Sequence, residues 1–171
     1  AVIQQNKGDI KSVNPLFETL FEQHPHNEKL NMIYGTVLMA QDNKAEAMKQ
    51  FEIYTAANPD DPAGYEQMIR AALPDSLDKV VQITEQALQF IPDAWQFYFY
   101  LGGAKYQQGK YEEALKVFQD GLKNAKIDNP LVEADFYGQI GDLYHFLGNN
   151  QAAFESYEKS LKLNPQNLPV L

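Results

Sequence analysis

Along this chain apolar and polar residues alternate with the period of helices. In GKYEEALKVFQDGL (109–122), Ala114, Phe118 and Gly121 recur at spacings of four and three, one face of a helix. The same stretch recurs without gaps as GNNQAAFESYEKSL (148–161), DNKAEAMKQFEIYT (42–55) and GDIKSVNPLFETLF (8–21). Each copy opens on a turn former (Gly109, Gly148, Asp42, Gly8). A small residue follows five places on (Ala114, Ala153, Ala47, Val13), and an aromatic nine places on (Phe118, Tyr157, Phe51, Phe17). A weaker fifth copy, DSLDKVVQITEQAL (75–88), has Val80, Thr84 and Ala87 at the packing places. Upstream of three copies runs a second helical pattern: Tyr98-x-x-Leu101-Gly102, Tyr137-x-x-Ile140-Gly141-x-x-Tyr144 and Asn31-x-x-Tyr34-Gly35-x-x-Leu38. Each unit is therefore predicted to be two short amphipathic helices joined by a tight turn. Pro25, Pro59, Pro92, Pro130 and Pro165 punctuate the units at spacings of 34, 33, 38 and 35, and a fixed period in this range marks a helical repeat.

These motifs resemble the tetratricopeptide repeat, W-x2-L-G-x2-Y…A-x3-F…P, in order and spacing. The copy from Tyr137 to Pro165 departs only by Tyr for Trp, Ile for Leu and Tyr for Phe. The resemblance implies an all-α fold, a right-handed α-solenoid of antiparallel helix pairs. It divides the chain into a partial repeat (1–27, second helix), repeats at 28–60, 94–129 and 130–167, and a degenerate repeat at 61–93. Met68 is read as standing at a glycine position in the degenerate repeat, and Lys105 at an aromatic one. The small residues then mark close approach between helix backbones, filled by a neighbouring aromatic.

Capping signals refine the boundaries. Asn27, Asp61 with Pro62, and Asp93 are expected to cap helix starts. Asn129-Pro130 comes four residues late, which predicts either a lengthened first helix or a longer loop over KNAKIDN. Pro15 either kinks its helix or marks a late start capped by Asn14. Neither end carries a polar capping repeat, and Ala1 replaces an initiating Met. The chain is accordingly expected to be an excerpt of a longer array, with ends able to associate.

Composition narrows the function classes. Fourteen basic against 23 acidic residues give a net charge of −9, and Arg70 is the single arginine. A phosphate backbone needs clustered cations, so nucleic acid is not an expected partner. Without cysteine there is neither a disulfide nor a thiolate metal site. No apolar run is long enough to span a bilayer. His24 and His26 flank Pro25 without a third ligand nearby, so no metal site is predicted. Glu112-Glu113 and Asp60-Asp61 sit at a helix start and a turn, where carboxylates cap and meet the helix dipole. No phosphate loop or hydrolase motif occurs, so neither enzymatic activity nor a cofactor is expected. Lysine-rich, Asn- and Gln-rich composition leans bacterial and leaves envelope and cytoplasm undistinguished.

In proteins of the resembled family, first helices line a concave groove for a peptide or partner helix. Carried to this chain, the groove positions are Lys29, Met32, Ile33 and Thr36; Tyr65, Glu66 and Ile69; Gln96, Phe99, Tyr100, Gly103 and Tyr106; and Asp135, Gln139, Asp142 and His145. The run FYFY (97–100) supports this, because one helix face cannot bury four consecutive aromatics. Relatives that clasp a C-terminal carboxylate present Lys, Asn and Arg here, and this chain does not. The expected function is a non-catalytic scaffold binding a protein or peptide segment. The alternative is a structural segment of a larger repeat protein whose groove is filled in cis or by self-assembly.

Overall fold

A computed structural model describes residues 13–167. Among the described residues it holds nine helices and no strand: α1 (Asn14–Gln23), α2 (Lys29–Ala40), α3 (Lys44–Ala57), α4 (Pro62–Ala72), α5 (Leu77–Phe90), α6 (Trp95–Gln107), α7 (Tyr111–Asn124), α8 (Pro130–Phe146) and α9 (Asn150–Leu163). The chain forms two compact units, residues 1–73 with α1–α4 and residues 74–171 with α5–α9. Within each unit every helix packs on its neighbour in sequence, which makes the fold class an all-α solenoid. The turn at Gly8 and the approach to a further repeat after Asn167 lie outside the described residues.

Helix starts follow the capping signals in part. Asp61 accepts from Ala63 N at 2.9 Å with Pro62 in the first turn, and Asn129 accepts from Leu131 N at 3.0 Å ahead of Pro130. Asn27 and Asp93 do not cap: α2 follows Glu28 and α6 follows Ala94, neither with a side-chain cap. Asp93 instead offers its carbonyl to Lys126 N at 2.8 Å, which ties down the loop before α8. The late proline lengthens the first helix, since α8 runs 17 residues against 12 and 13 for α2 and α6. Pro15 falls in the first turn of a late-starting α1, but Asn14 does not cap it. Its Oδ1 accepts from Gln41 Nε2 at 2.9 Å.

The gaps in the helix faces are contact points. A Cβ on Gly35 would stand 2.4 Å from the Phe51 ring, on Gly102 2.6 Å from Phe118, and on Gly141 2.4 Å from Tyr157. In each pair the glycine lies on a first helix and the aromatic sixteen residues later on the second. Gly121 repeats the device towards the next repeat, against the Phe136 ring and Tyr98. Phe118 and Phe136 thereby sit in one core with Tyr98, Ala114, Ile140 and Leu143. Interlocking at this density leaves little freedom for added volume.

The degenerate repeat follows a different register from the one its sequence suggests. Tyr65 donates to Pro59 O at 3.2 Å as Tyr98 donates to Pro92 O at 2.8 Å, each across six residues. Tyr65 is thus the counterpart of Tyr98, and Ile69, not Met68, stands at the glycine position. The second helix, with Val80, Thr84 and Ala87 buried, keeps the frame one residue earlier, so the connection between α4 and α5 is one residue short. Elsewhere Asp42, Gly109 and Gly148 turn the chain with positive φ of 60°, 73° and 76°. Here Leu73 is extended, Pro74 follows, and Ser76 caps α5. The division between the two units falls at that altered connection.

Candidate interaction face

Each first helix buries the side carrying its close-approach residue, so its outward stripe can be counted from there. Six before, two before, one after and five after are the outward places. On α2 these are Lys29, Ile33, Thr36 and Ala40, all exposed. On α4, counted from Ile69, they are Ala63 and Gln67, half-buried, and Arg70, exposed. On α6 they are Gln96, Tyr100, Gly103 and Gln107, and on α8 Asp135, Gln139, Asp142 and Phe146. The stripe is a consequence of helical phase: once the glycine side is packed, these positions point away from it.

Nine of the residues expected from sequence lie on this stripe: Lys29, Ile33, Thr36, Gln96, Tyr100, Gly103, Asp135, Gln139 and Asp142. Ile33 is 47% exposed and Tyr100 36%. Thr36 turns its hydroxyl back to Met32 O at 2.9 Å. A Cβ on Gly103 would meet nothing within 4 Å, so bare backbone lies open one turn from Tyr100. Asp142 is half-buried and accepts from Tyr157 Oη at 2.8 Å. Burial raises its carboxyl above the usual range, against the hydrogen bond, which lowers it. Burial first, then the bond to Asp142, raises the Tyr157 phenol in turn.

Two expectations are overturned. Tyr65 and Ile69 are buried at 0% and 1% exposure and line no open groove. In the true register they occupy the places of Tyr98 and Gly102, which face the second helix.

Two others, Phe99 and Tyr106, occupy the seam between helices. Phe99 is half-buried, 4.3 Å in ring-centroid distance from Phe136 and 5.5 Å from Phe118. Tyr106 packs at 5.5 Å on Tyr111 and 5.6 Å on Phe146. Met32 is half-buried at the equivalent place of α2, and His145 is exposed at that of α8. The two ring contacts from α6 to α8 set these helices side by side in the second unit. Of the FYFY run, Phe97 and Tyr98 are buried, Phe99 fills the seam and Tyr100 faces outward.

Sequence reasoning missed three exposed apolar residues on the same helices: Trp95, Leu131 and Phe146, at 37%, 52% and 54% exposure. Counting from Gly141 would have found Phe146. Leu131 belongs to the first turn added by the lengthening of α8. Lys105 replaces an aromatic with ion pairs, at 2.9 Å to Glu113 and 3.8 Å to Glu85. It joins α6 to both α7 and α5.

No helix among the described residues is long and apolar enough to cross a membrane. No group of three or more His, Asp and Glu among them is placed to hold a metal, and His24 and His26 are exposed.

Three family models, each described as tetratricopeptide repeat, match residues 7–73, 74–130 and 134–167. The first ends where the first compact unit ends. No curated protein sequence matches the chain. Among solved structures, a crystal structure of MamA superposes with a TM-score of 0.72 at 16% identity, covering 95% of this chain and 93% of that one. A second MamA structure gives 0.71 at 16% identity, with 95% and 87% covered. A thermophilic tetratricopeptide repeat protein of Thermus thermophilus, TTC0263, gives 0.57 at 16% identity, with 96% and 88% covered.

Proposed function

The chain belongs to the tetratricopeptide repeat family, and from that premise we propose that it is a non-catalytic scaffold holding a protein or peptide segment against its first helices. The observation that carries this reading is the stripe in the second unit. Tyr100 stands exposed beside the open backbone of Gly103, on a helix whose other sides are packed. An amphipathic ring next to a bare stretch of helix gives large contact area at low entropic cost. The seam rings Phe99 and Tyr106 support the face from beneath by fixing α6 against α8.

Gly103→Trp tests the reading, because a Cβ there meets nothing within 4 Å and the added ring covers the open backbone. Random peptides displayed on phage are selected on the wild-type chain and counter-selected on this variant, with melting curves of both. The reading requires peptides that bind the wild type and lose binding to a variant of undiminished stability. If every selected peptide binds both proteins alike, the face is not the binding surface. A parent protein that covers this face with its own segment would show the same blocked behaviour in the longer chain only.

A further inference from the structure

The outward stripe of the second unit carries Asp135 and Asp142 and no lysine or arginine. The first helices α6 and α8 carry Glu133, Asp135 and Asp142, with His145 three residues beyond Asp142, and their one lysine, Lys105, is held by Glu113 and Glu85. The other lysines of this unit lie elsewhere: Lys79, Lys116, Lys123, Lys159 and Lys162 on the second helices, and Lys110 and Lys126 in connections. On the outward stripe Asp135 and Asp142 are two turns apart on α8, alongside Tyr100 and Gly103 of α6. The first unit differs, with Lys29 and Arg70 on its stripe.

We propose that the α6–α8 face takes a basic, extended peptide segment, with an apolar side chain on Tyr100 and Gly103 and Lys or Arg side chains at Asp135 and Asp142. This rests on the scaffold reading above and names the partner's chemistry. Both carboxylates are positioned by neutral donors: Tyr157 Oη holds Asp142, and Asn167 Nδ2 holds Asp135 at 3.3 Å. Neither bond supplies a countercharge, so an incoming cation meets an oriented anion that is already partly desolvated at Asp142. Phe146, half exposed at the end of the stripe and stacked on Tyr111 at 5.4 Å, presents a ring face to a further cation. An acidic segment would place its charges against both aspartates, and a chain of net charge −9 disfavours a second copy at this face.

The test uses three fluorescein-labelled 12-residue peptides with one shared central Leu-Tyr-Leu and flanks of Lys, Gln or Glu. Anisotropy is measured on the full chain. Asp135→Asn with Asp142→Asn keeps both acceptors for Asn167 and Tyr157 while removing the charges. Glu112→Gln with Glu158→Gln removes the same charge from exposed sites on the second helices. The Lys peptide is expected to bind tightest, to weaken about tenfold in the aspartate variant, and to be lost in Gly103→Trp. The glutamate variant should change it little.

Equal loss in both charge variants would mean diffuse attraction to an acidic protein and would overturn the proposal. So would self-association in sedimentation that disappears with the aspartate variant, since the face would then take a second copy. If the Gln peptide binds as well as the Lys peptide and Gly103→Trp abolishes both, the scaffold reading stands and the basic partner falls. If no peptide responds to Gly103→Trp and phage selection finds none that does, both fall.

Discussion

Neighbouring glycines on α6 should respond in opposite directions to one substitution. An alanine Cβ at Gly102 would stand 2.6 Å from two carbons of the Phe118 ring. Ordinary carbon contacts lie near 3.5–4 Å, so the ring must retreat by roughly 1 Å. Phe118 is 1% exposed, with Phe99 and Phe136 at 5.5 and 6.0 Å, and has nowhere to go without moving them. Overpacking of this kind costs about 1–3 kcal/mol. Removing a glycine from a helix interior returns about 0.5–1 kcal/mol. At Gly103 the same Cβ meets nothing within 4 Å, so only the favourable contribution remains. Because helix propensity cancels between the pair, the difference between Gly102→Ala and Gly103→Ala isolates the overpacking, at about 1–3 kcal/mol. Urea unfolding followed by circular dichroism measures it. Thermal midpoints should separate by about 4–8 °C per kcal/mol for a unit near 100 residues. Gly103→Ala should exceed the wild type in stability. If Gly102→Ala is as stable as Gly103→Ala, the ring is not fixed and the close-approach account of the glycines is wrong.

Two further outcomes follow from polar groups. Tyr54 donates to Asp61, and that bond, with burial and the Asp61 charge, pushes its phenol up to about 12 from an ordinary 10.0. The bond's contribution is complete below about pH 10 and is lost as the pH climbs through about 12. Urea midpoints between pH 9 and 11.5 should therefore fall more steeply in the wild type than in Tyr54→Phe, and parallel slopes would exclude the link. The buried Ser160 hydroxyl donates to Ala134 O at 2.7 Å, joining α9 to α8, and accepts from Asn167 at 2.8 Å. Ser160→Val should cost about 1–3 kcal/mol by melting. Ser156→Ala should cost much less, because Ser156 bonds only its own helix at Ala152 O, and equal costs would remove the distinction.

The helix pairs, their turns and the glycine–aromatic contacts were legible because each recurs in phase. A single Gly102 is ambiguous, but Gly35, Gly102 and Gly141, each sixteen residues before a buried aromatic, are not. The degenerate repeat failed for the same reason. Its register was inferred from Val80, Thr84 and Ala87 on the second helix, and the connection ahead of them is one residue short. That shift turned Tyr65 and Ile69 outward on paper, although the 33-residue step from Pro59 to Pro92 already matched Tyr65 to Tyr98. Caps at Asn27 and Asp93 failed because the helices begin one residue later than read, after Glu28 and Ala94. The outward stripe was half legible. Position along a helix gives the face, but whether Phe99 or Tyr106 reaches solvent depends on rings from other helices that local sequence does not specify.

The placement of Trp95 has a spectroscopic consequence. The chain has one tryptophan, and it opens α6, 5.8 Å from Phe99 and partly open to water. Its emission therefore reports on the second unit alone, while the first unit, lit only by tyrosine, is silent at those wavelengths. Far-ultraviolet dichroism weighs the helices of both. A denaturation followed by the two signals together reads the units separately, without a label, and any gap between the two midpoints measures how far one unit melts without the other.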